Sequence, residues 1–518
     1  MITVSDNFHK KAKGQVVHPI AKFYISFNKE LNSETSFFTL DTSNLDGSDI
    51  LRGEDDLPIQ LWDKYVYRDY TDRLVSLDIE RSIEFPYNVQ FSQSDIKLDN
   101  FDKYFNPDGE SAVAQHNLPN RPIRIFGGFA NETLIPQFVG LTQDMPTVDA
   151  ASATVSYHAL DFLSEICKQD LNKTIAMQNV TTDQILAKIV EQFGVLPHQY
   201  NFEKGANIIP FVFFDIGDNA GDAIKKLMQA EGGRFWLDEQ GILRFKKRAS
   251  MESDPVMVLS DYSIVSITPK GSSSIINHVK ITAEIREVQE FQEVFQKNPS
   301  ADSISSSLWV VPAGGNFKAS CGLADPCLSV VIPELGKSSN VSWFTAKTSA
   351  GNYINTGVTA TGSLSTNSYE ISFKNDNLFP VEIDELILWG QPAKIIDVLD
   401  YNAYEDESVK KYGERVLHIS DNNFIQNYNS AQNLGVFLLK NRAFYNQELE
   451  LEIKGDWSLQ LGDLISLEGR WEGIYSVSAI SYHLSVGEMR TLISVCKTVP
   501  IKFFTLDKST LDGADVLS

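Results

Sequence analysis

Apolar and polar residues alternate with a period of two through much of the first 165 residues. Val75, Leu77 and Ile79 alternate with polar neighbours, as do Ile123 and Ile125, then Val155 and Tyr157. This period puts one face of a strand on a core and the other toward solvent or a partner. Turn-rich segments separate the runs: NPDGES at 106–111, LPNRP at 118–122 and DMPTVDAAS at 144–152. Several short strands so spaced predict a sandwich or barrel.

The period changes to a helical one near residue 170. Thr181 with Gln184 three residues on is a capping-box start. Ile185, Leu186, Ile189, Val190 and Phe193 then share one helical face, and Gly194 supplies a left-handed stop. A second helix is expected at about 219–231, with Ala223, Ile224, Leu227 and Met228 apolar and Gly232–Gly233 at its end. RFWLDEQGILRF (234–245) is a hairpin, because Asp-Glu-Gln-Gly separates two alternating runs. Residues 170–250 thus read as an α+β module. Strand patterns return in VMVL and INHVKIT (276–282). Residues 300–380 are rich in Ser, Thr, Gly and Asn, with isolated aromatics at Trp309, Trp343, Phe344 and Tyr353. They read as a small inserted β-domain. Helices are expected near 405–413 and near 430–443, the latter capped by Ser430. LELEIKGD, DLISLEG, GIYSVSAISYHL and MRTLISV are again strands.

One segment occurs twice. FFTLDTSNLDGSDIL at 37–51 returns as FFTLDKSTLDGADVL at 503–517. It is too short to be a domain. Asp41, Ser43, Asp46 and Asp49 supply oxygens, but a calcium loop of EF-hand type would want an oxygen where Leu45 stands. The residues leave two readings open: strands of the chain's own fold, or an extended docking peptide. In the docking reading Phe37, Phe38, Leu40 and Leu45 are anchors and Asp46-Gly47 makes the turn. Phe503, Phe504, Leu506, Leu511, Asp512 and Gly513 repeat those roles.

Composition narrows the class. A chain of 518 residues with 42% hydrophobic and 22% charged residues is globular, with several domains. A formal net charge of −23 argues against a duplex-binding groove, because DNA affinity comes from Lys and Arg on phosphates. The same charge suits a conduit to which DNA must not adhere. Cys167, Cys321, Cys327 and Cys496 form no zinc spacing, although Cys321 and Cys327 could close a small loop. Folding in a reducing cytoplasm is expected. The N-terminal stretch lacks a signal-peptide core, and no window approaches the ~20 apolar residues that span a bilayer.

No HExxH, GxSxG, GxxxxGK[ST] or strand-borne GxGxxG is present. His158 and His418 lie in strand-like runs, where a structural role is the ordinary one. The acidic groups Glu54-Asp55-Asp56 and Glu405-Asp406-Glu407 read as solvated loops rather than a carboxylate pair across a cleft. No catalytic residue, cofactor or metal ligand is expected.

Three stretches together resemble the tail hub, or baseplate hub, proteins of long-tailed phages. They are YTDRLVSLDIERSIEFPYNVQFSQSDIKLDNFDKYFNPD (70–108) with RPIRIFGGF (121–129) and FVGLT (138–142); TTDQILAKIVEQFGV with DNAGDAIKKLMQAEGGRFWLDEQGILRF; and SVKKYGERVLHIS (408–420) with LQLGDLISL (459–467). The repeated peptide also resembles one in phage minor tail proteins. Their order along the chain is the specific feature.

The resemblance implies two tail-tube-like β-barrels with an α+β module between them; with the small inserted β-domain read from composition at 300–380, which matches nothing in that family, the chain is expected to be mainly β. The boundaries are 1–169 (with a docking peptide at 36–53), 170–250, 251–299 plus 381–500, 300–380 and 501–518. It further implies a homotrimeric ring at the tip of the virion's tail, assembled in the host cytoplasm. Its partners would be tube and distal tail proteins and a spike, fibre or tape-measure protein, with DNA passing through the lumen. Other readings are a receptor-binding tail protein holding glycan on Trp309 or Trp343, and a tail-associated cell-wall hydrolase.

Overall fold

A computed structural model describes residues 2, 4–12, 19–28, 65–83, 89, 91–248, 255–259, 264–270, 275–297, 308–365, 367–444, 448–453, 455–485 and 488–497. Both copies of the repeated peptide, with all twelve anchor and turn residues named above, lie outside these. The described chain is mainly β, with helices concentrated between residues 162 and 231 and between 406 and 442.

The alternating segments at the two ends of the chain build one fourteen-stranded sheet. Its seam is the antiparallel pairing of Leu74–Ser82 with Gly473–Ser485, from Ser76 opposite Ser485 to Ser82 opposite Ala479. The path ends on the two-residue strand Arg68–Asp69 at one side and on Ile264–Lys270 at the other. Period-two patterning sends Phe23, Leu77, Ile96, Ile123, Val155, Leu451, Ile480 and Ile493 into a single apolar cluster. The first and last β regions therefore share a core as well as a sheet.

The α+β elements match the sequence reading closely, because their signals are local. The Thr182–Glu191 helix carries the Thr181–Gln184 capping box and buries Ile185, Leu186, Ile189 and Val190. The Ala220–Glu231 helix starts at Asn219, whose side chain accepts from the Asp222 amide at 3.1 Å. It stops at Gly232, where φ is +65° and the amide donates to the Met228 carbonyl. That left-handed cap is the position a Cβ would strain. Arg234–Leu237 and Leu243–Lys246 form the expected hairpin. This second core also takes in Val279 and Ile281 from His278–Val288 and Leu434 and Leu438 from Tyr428–Arg442.

Ser430 does not cap that last helix. Asn427 does, its side-chain oxygen accepting from the Ser430 amide at 2.7 Å, and Ser430 is buried one turn inside. Both residue types make good caps; the helix begins two residues earlier than its apolar spacing suggests.

Strands between Val310 and Asn375 enclose a third core around Phe344, Ile371, Phe373, Ile383 and Leu386. One strand of 24 residues, Val381–Tyr404, joins it to the rest. Its first half pairs with Trp343–Thr348, Val310–Val311, Cys327–Val330 and Gln292–Lys297. Its second half pairs with His278–Val288, with a bulge beside Ile285 and Arg286. Where the inserted region meets the α+β elements, the Thr174 hydroxyl donates to the Leu364 carbonyl at 3.0 Å, and Ser365 bonds Asp215.

Candidate assembly surface

Because one face of the large sheet is spent on the core, its other face is polar. On Leu74–Ser82 and Gln93–Asp99 the outward residues include Asp78, Glu80, Asp95, Lys97 and Asp99. Register lines four of these strands' residues into one row: His483 opposite Asp78, Asp78 opposite Asp95, Asp95 opposite His158. Like charges directly opposite one another destabilise a sheet. Here each carboxylate is met from its outer side by an imidazole, His158 Nδ1 at 2.9 Å from Asp95 and His483 Nδ1 in contact with Asp78. The strand histidine His158 thus has a structural partner. His418 lies on Val416–Ile419, with Nε2 3.5 Å from the Thr282 hydroxyl.

The end of the sheet near Pro19–Ile25 carries a different chemistry. Lys22, Tyr24, Arg124 and Phe126 face outward around a groove, with the Arg124 guanidinium 4.6 Å from the Tyr67 ring centre and Tyr24 edge-on to Phe126. The nearby 100–106 turn is held by Asn100, whose side chain bonds Asn106 and the Phe105 amide. A bidentate pair between Arg73 and Asp102, at 2.8 and 2.7 Å, holds it from outside. The hydrogen bonds from Arg73 bring the Asp102 carboxyl down to about 2. This turn presents Phe101 at 82% exposure.

Under the sheet, segments from both β regions and from the hairpin meet at a buried polar junction that the period-two reading did not anticipate. Arg81 falls on the core face of Leu74–Ser82 at 3% exposure and pairs with Glu239, in the hairpin turn, at 4%. Gln137 accepts from Arg81 at 3.3 Å and donates to the Trp457 carbonyl at 2.8 Å. Gln460 donates to the second oxygen of Glu239 at 2.9 Å. The Tyr482 ring lies 5.4 Å from the guanidinium, and its hydroxyl donates to the Asp456 carbonyl. Burial, reinforced by the Glu239 charge, raises the neighbouring Asp238 carboxyl although Arg244 bonds it. A lone charged residue on a core face was the available sequence signal; its partner was not legible.

Among the described residues no group of three or more His, Cys, Asp or Glu could hold a metal ion. Asp161 is pushed up to about 7 by burial, but it is spent on the Ser92 and Ser164 amides at 2.6 and 3.3 Å. Cys321 and Cys327 are buried free thiols, not bonded to each other. Of the tryptophans considered for glycan stacking, one is buried and the other half-buried. Trp343 is 9% exposed with Lys337 over its ring, and Trp309 packs on Phe317 and Phe373 beneath Lys297. No helix among the described residues is long and apolar enough to cross a membrane.

No family model matches the sequence, and no curated protein matches it. Among solved structures, the chain is similar to the 43 kDa tail protein of prophage MuSo2 from Shewanella oneidensis, at 11% identity and TM-score 0.46, over 83% of this chain and 96% of that one. It is similar to a tail protein from Neisseria meningitidis, at 8% identity and TM-score 0.46, over 83% and 94%. Prophage tail protein gp18 from Listeria monocytogenes follows at 11% identity and TM-score 0.40, over 84% and 93%.

Proposed function

We propose that this chain is a non-enzymatic hub subunit of a phage tail tip. It would build a ring that joins the tail tube to the spike or fibres and surrounds the DNA path. The observation that carries this reading is the large sheet. It fuses the two ends of the chain across the Ser76–Ser485 seam, yet among the described residues its path ends on strands without a second neighbour. Unpaired edges are templates for pairing with another chain. An edge-to-edge contact between unlike ends is head-to-tail, and repeated by a closing rotation it makes a ring.

Three copies, each contributing two tube-like barrels within the boundaries given above, is the number the hub resemblance implies. The acidic outward residues Asp78, Glu80, Asp95 and Asp99 would face the lumen, where they repel phosphate and leave DNA free to slide. The repeated peptides 37–51 and 503–517 would be docking segments. Labelling of particles with an antibody against this chain tests the reading: signal confined to the tail tip supports it, and particles complete without the chain overturn it.

A further inference from the structure

The three-stranded sheet of the α+β module runs Tyr200–Phe202, Leu243–Lys246, Arg234–Leu237. Tyr200–Phe202 is an edge: among the described residues nothing pairs with its far side. Opposite it stands the Thr182–Glu191 helix, and between them lies an open groove of about 530 Å³. Asp183 and Ala187 line the helix wall, Asn201 and Phe202 the strand wall, and Ile242 and Arg244 complete it. Helix and strand run in opposite senses. The Tyr200 hydroxyl meets Glu191 at one end, at 3.1 Å, and the Gly205 amide meets Asp183 at the other, at 2.8 Å. A groove between an edge strand and a helix accepts an extended peptide as an added strand.

We infer that this groove is the seat of the C-terminal copy of the repeated peptide, with Phe503–Asp507 lying along Tyr200–Phe202. The inference rests on the docking reading above and names its receptor.

Reach, pattern and charge point to this occupant. The last described strand, Glu488–Lys497, brings Cys496 within electrostatic range of Arg234, on the same three-stranded sheet. Arg234–Leu237 itself lies two strand spacings, about 10 Å, from the Tyr200–Phe202 edge. Residues 498–502 can span up to about 17 Å. Phe-Phe-Thr-Leu-Asp alternates, so Phe504 and Leu506 share one face, and Ala187, Phe202 and Ile242 offer apolar surface to it. Arg244 uses Nε on Asp238 at 2.7 Å, which leaves the rest of its guanidinium for a carboxylate such as Asp507.

The test uses the chain ending at Lys502 and a fluorescent peptide with the sequence of residues 503–517. Anisotropy should show saturable binding. Ala187→Trp, which fills the groove from the helix side, should weaken it at least tenfold, and Ala187→Ser should not. Asn201→Trp on the opposite wall gives the same reading should the first variant fold poorly. The full chain, whose own segment holds the groove, should bind added peptide at least tenfold more weakly than the shortened one. Equal binding by the tryptophan variants and the parent overturns the inference, as does equal binding by the full and shortened chains. The oligomeric mass of the shortened chain is read in the same samples. A ring that persists without peptide binding removes the inference and leaves the hub reading standing.

Discussion

Arg81 and Glu239 stand 158 residues apart in the chain and meet as an ion pair with both side chains buried. The contact ties the first β region to the hairpin of the α+β module, and Gln460 adds the last β region to it. Removing one member leaves the other charged and unpaired in the interior, which costs about 3–5 kcal/mol. Glu239→Ala should therefore lower stability by about that amount in denaturant unfolding. Arg81→Met with Glu239→Leu, which removes both charges, should cost markedly less.

A second prediction concerns packing at the same junction. Gly127 lies in the Pro122–Phe129 strand, and a Cβ there would come within 2.6 Å of the fully buried Trp457 ring. An indole packed at this depth cannot give way without displacing its neighbours. Gly127→Val should destabilise by about 1–3 kcal/mol. It should also shift tryptophan emission to the red as Trp457 is expelled toward water.

The Arg73–Asp102 pair gives a pH signature. Asp102 is held near 2 in the folded chain, against an ordinary 3.8. A depressed carboxyl contributes stability that is present above the unfolded value and is lost as pH falls through the folded one. The window is thus between about 4 and about 2. Asp102 is exposed and Arg73 partly so, and solvent screening leaves the pair worth less than about 1 kcal/mol. Carboxyl titration by NMR should place Asp102 near 2 in the parent and distinctly higher in Arg73→Gln.

The capping of the Tyr428–Arg442 helix gives another. Asn427→Ala should cost about 1 kcal/mol in thermal or denaturant unfolding, because the Ser430 amide loses its acceptor.

That cap also shows where sequence reading is strong and where it stops. Features set by residues close in the chain were legible: the Thr181–Gln184 box, the Gly232 stop and the 234–245 hairpin. Apolar alternation assigned Leu77, Ile123 and Tyr157 to the core, where they are. Arg81 defied the pattern because its burial depends on a partner supplied by another region. The Ser76–Ser485 seam was equally out of reach, since nothing local encodes which distant strand an edge will choose. The single strand from Val381 to Tyr404 was hidden by its exposed stretch at 394–398, which lacks the alternation of a half-buried strand.

In the proposed ring, unlike sheet edges of separate copies meet and close on one another. Native mass measurement of the purified full chain at micromolar concentration addresses it most directly. A discrete species of three chains is expected, with Val265→Pro, an exposed residue at the bulge of the Ile264–Lys270 edge, shifting mass toward one chain while the fold persists by circular dichroism. A single-chain mass for the parent protein under those conditions would contradict it.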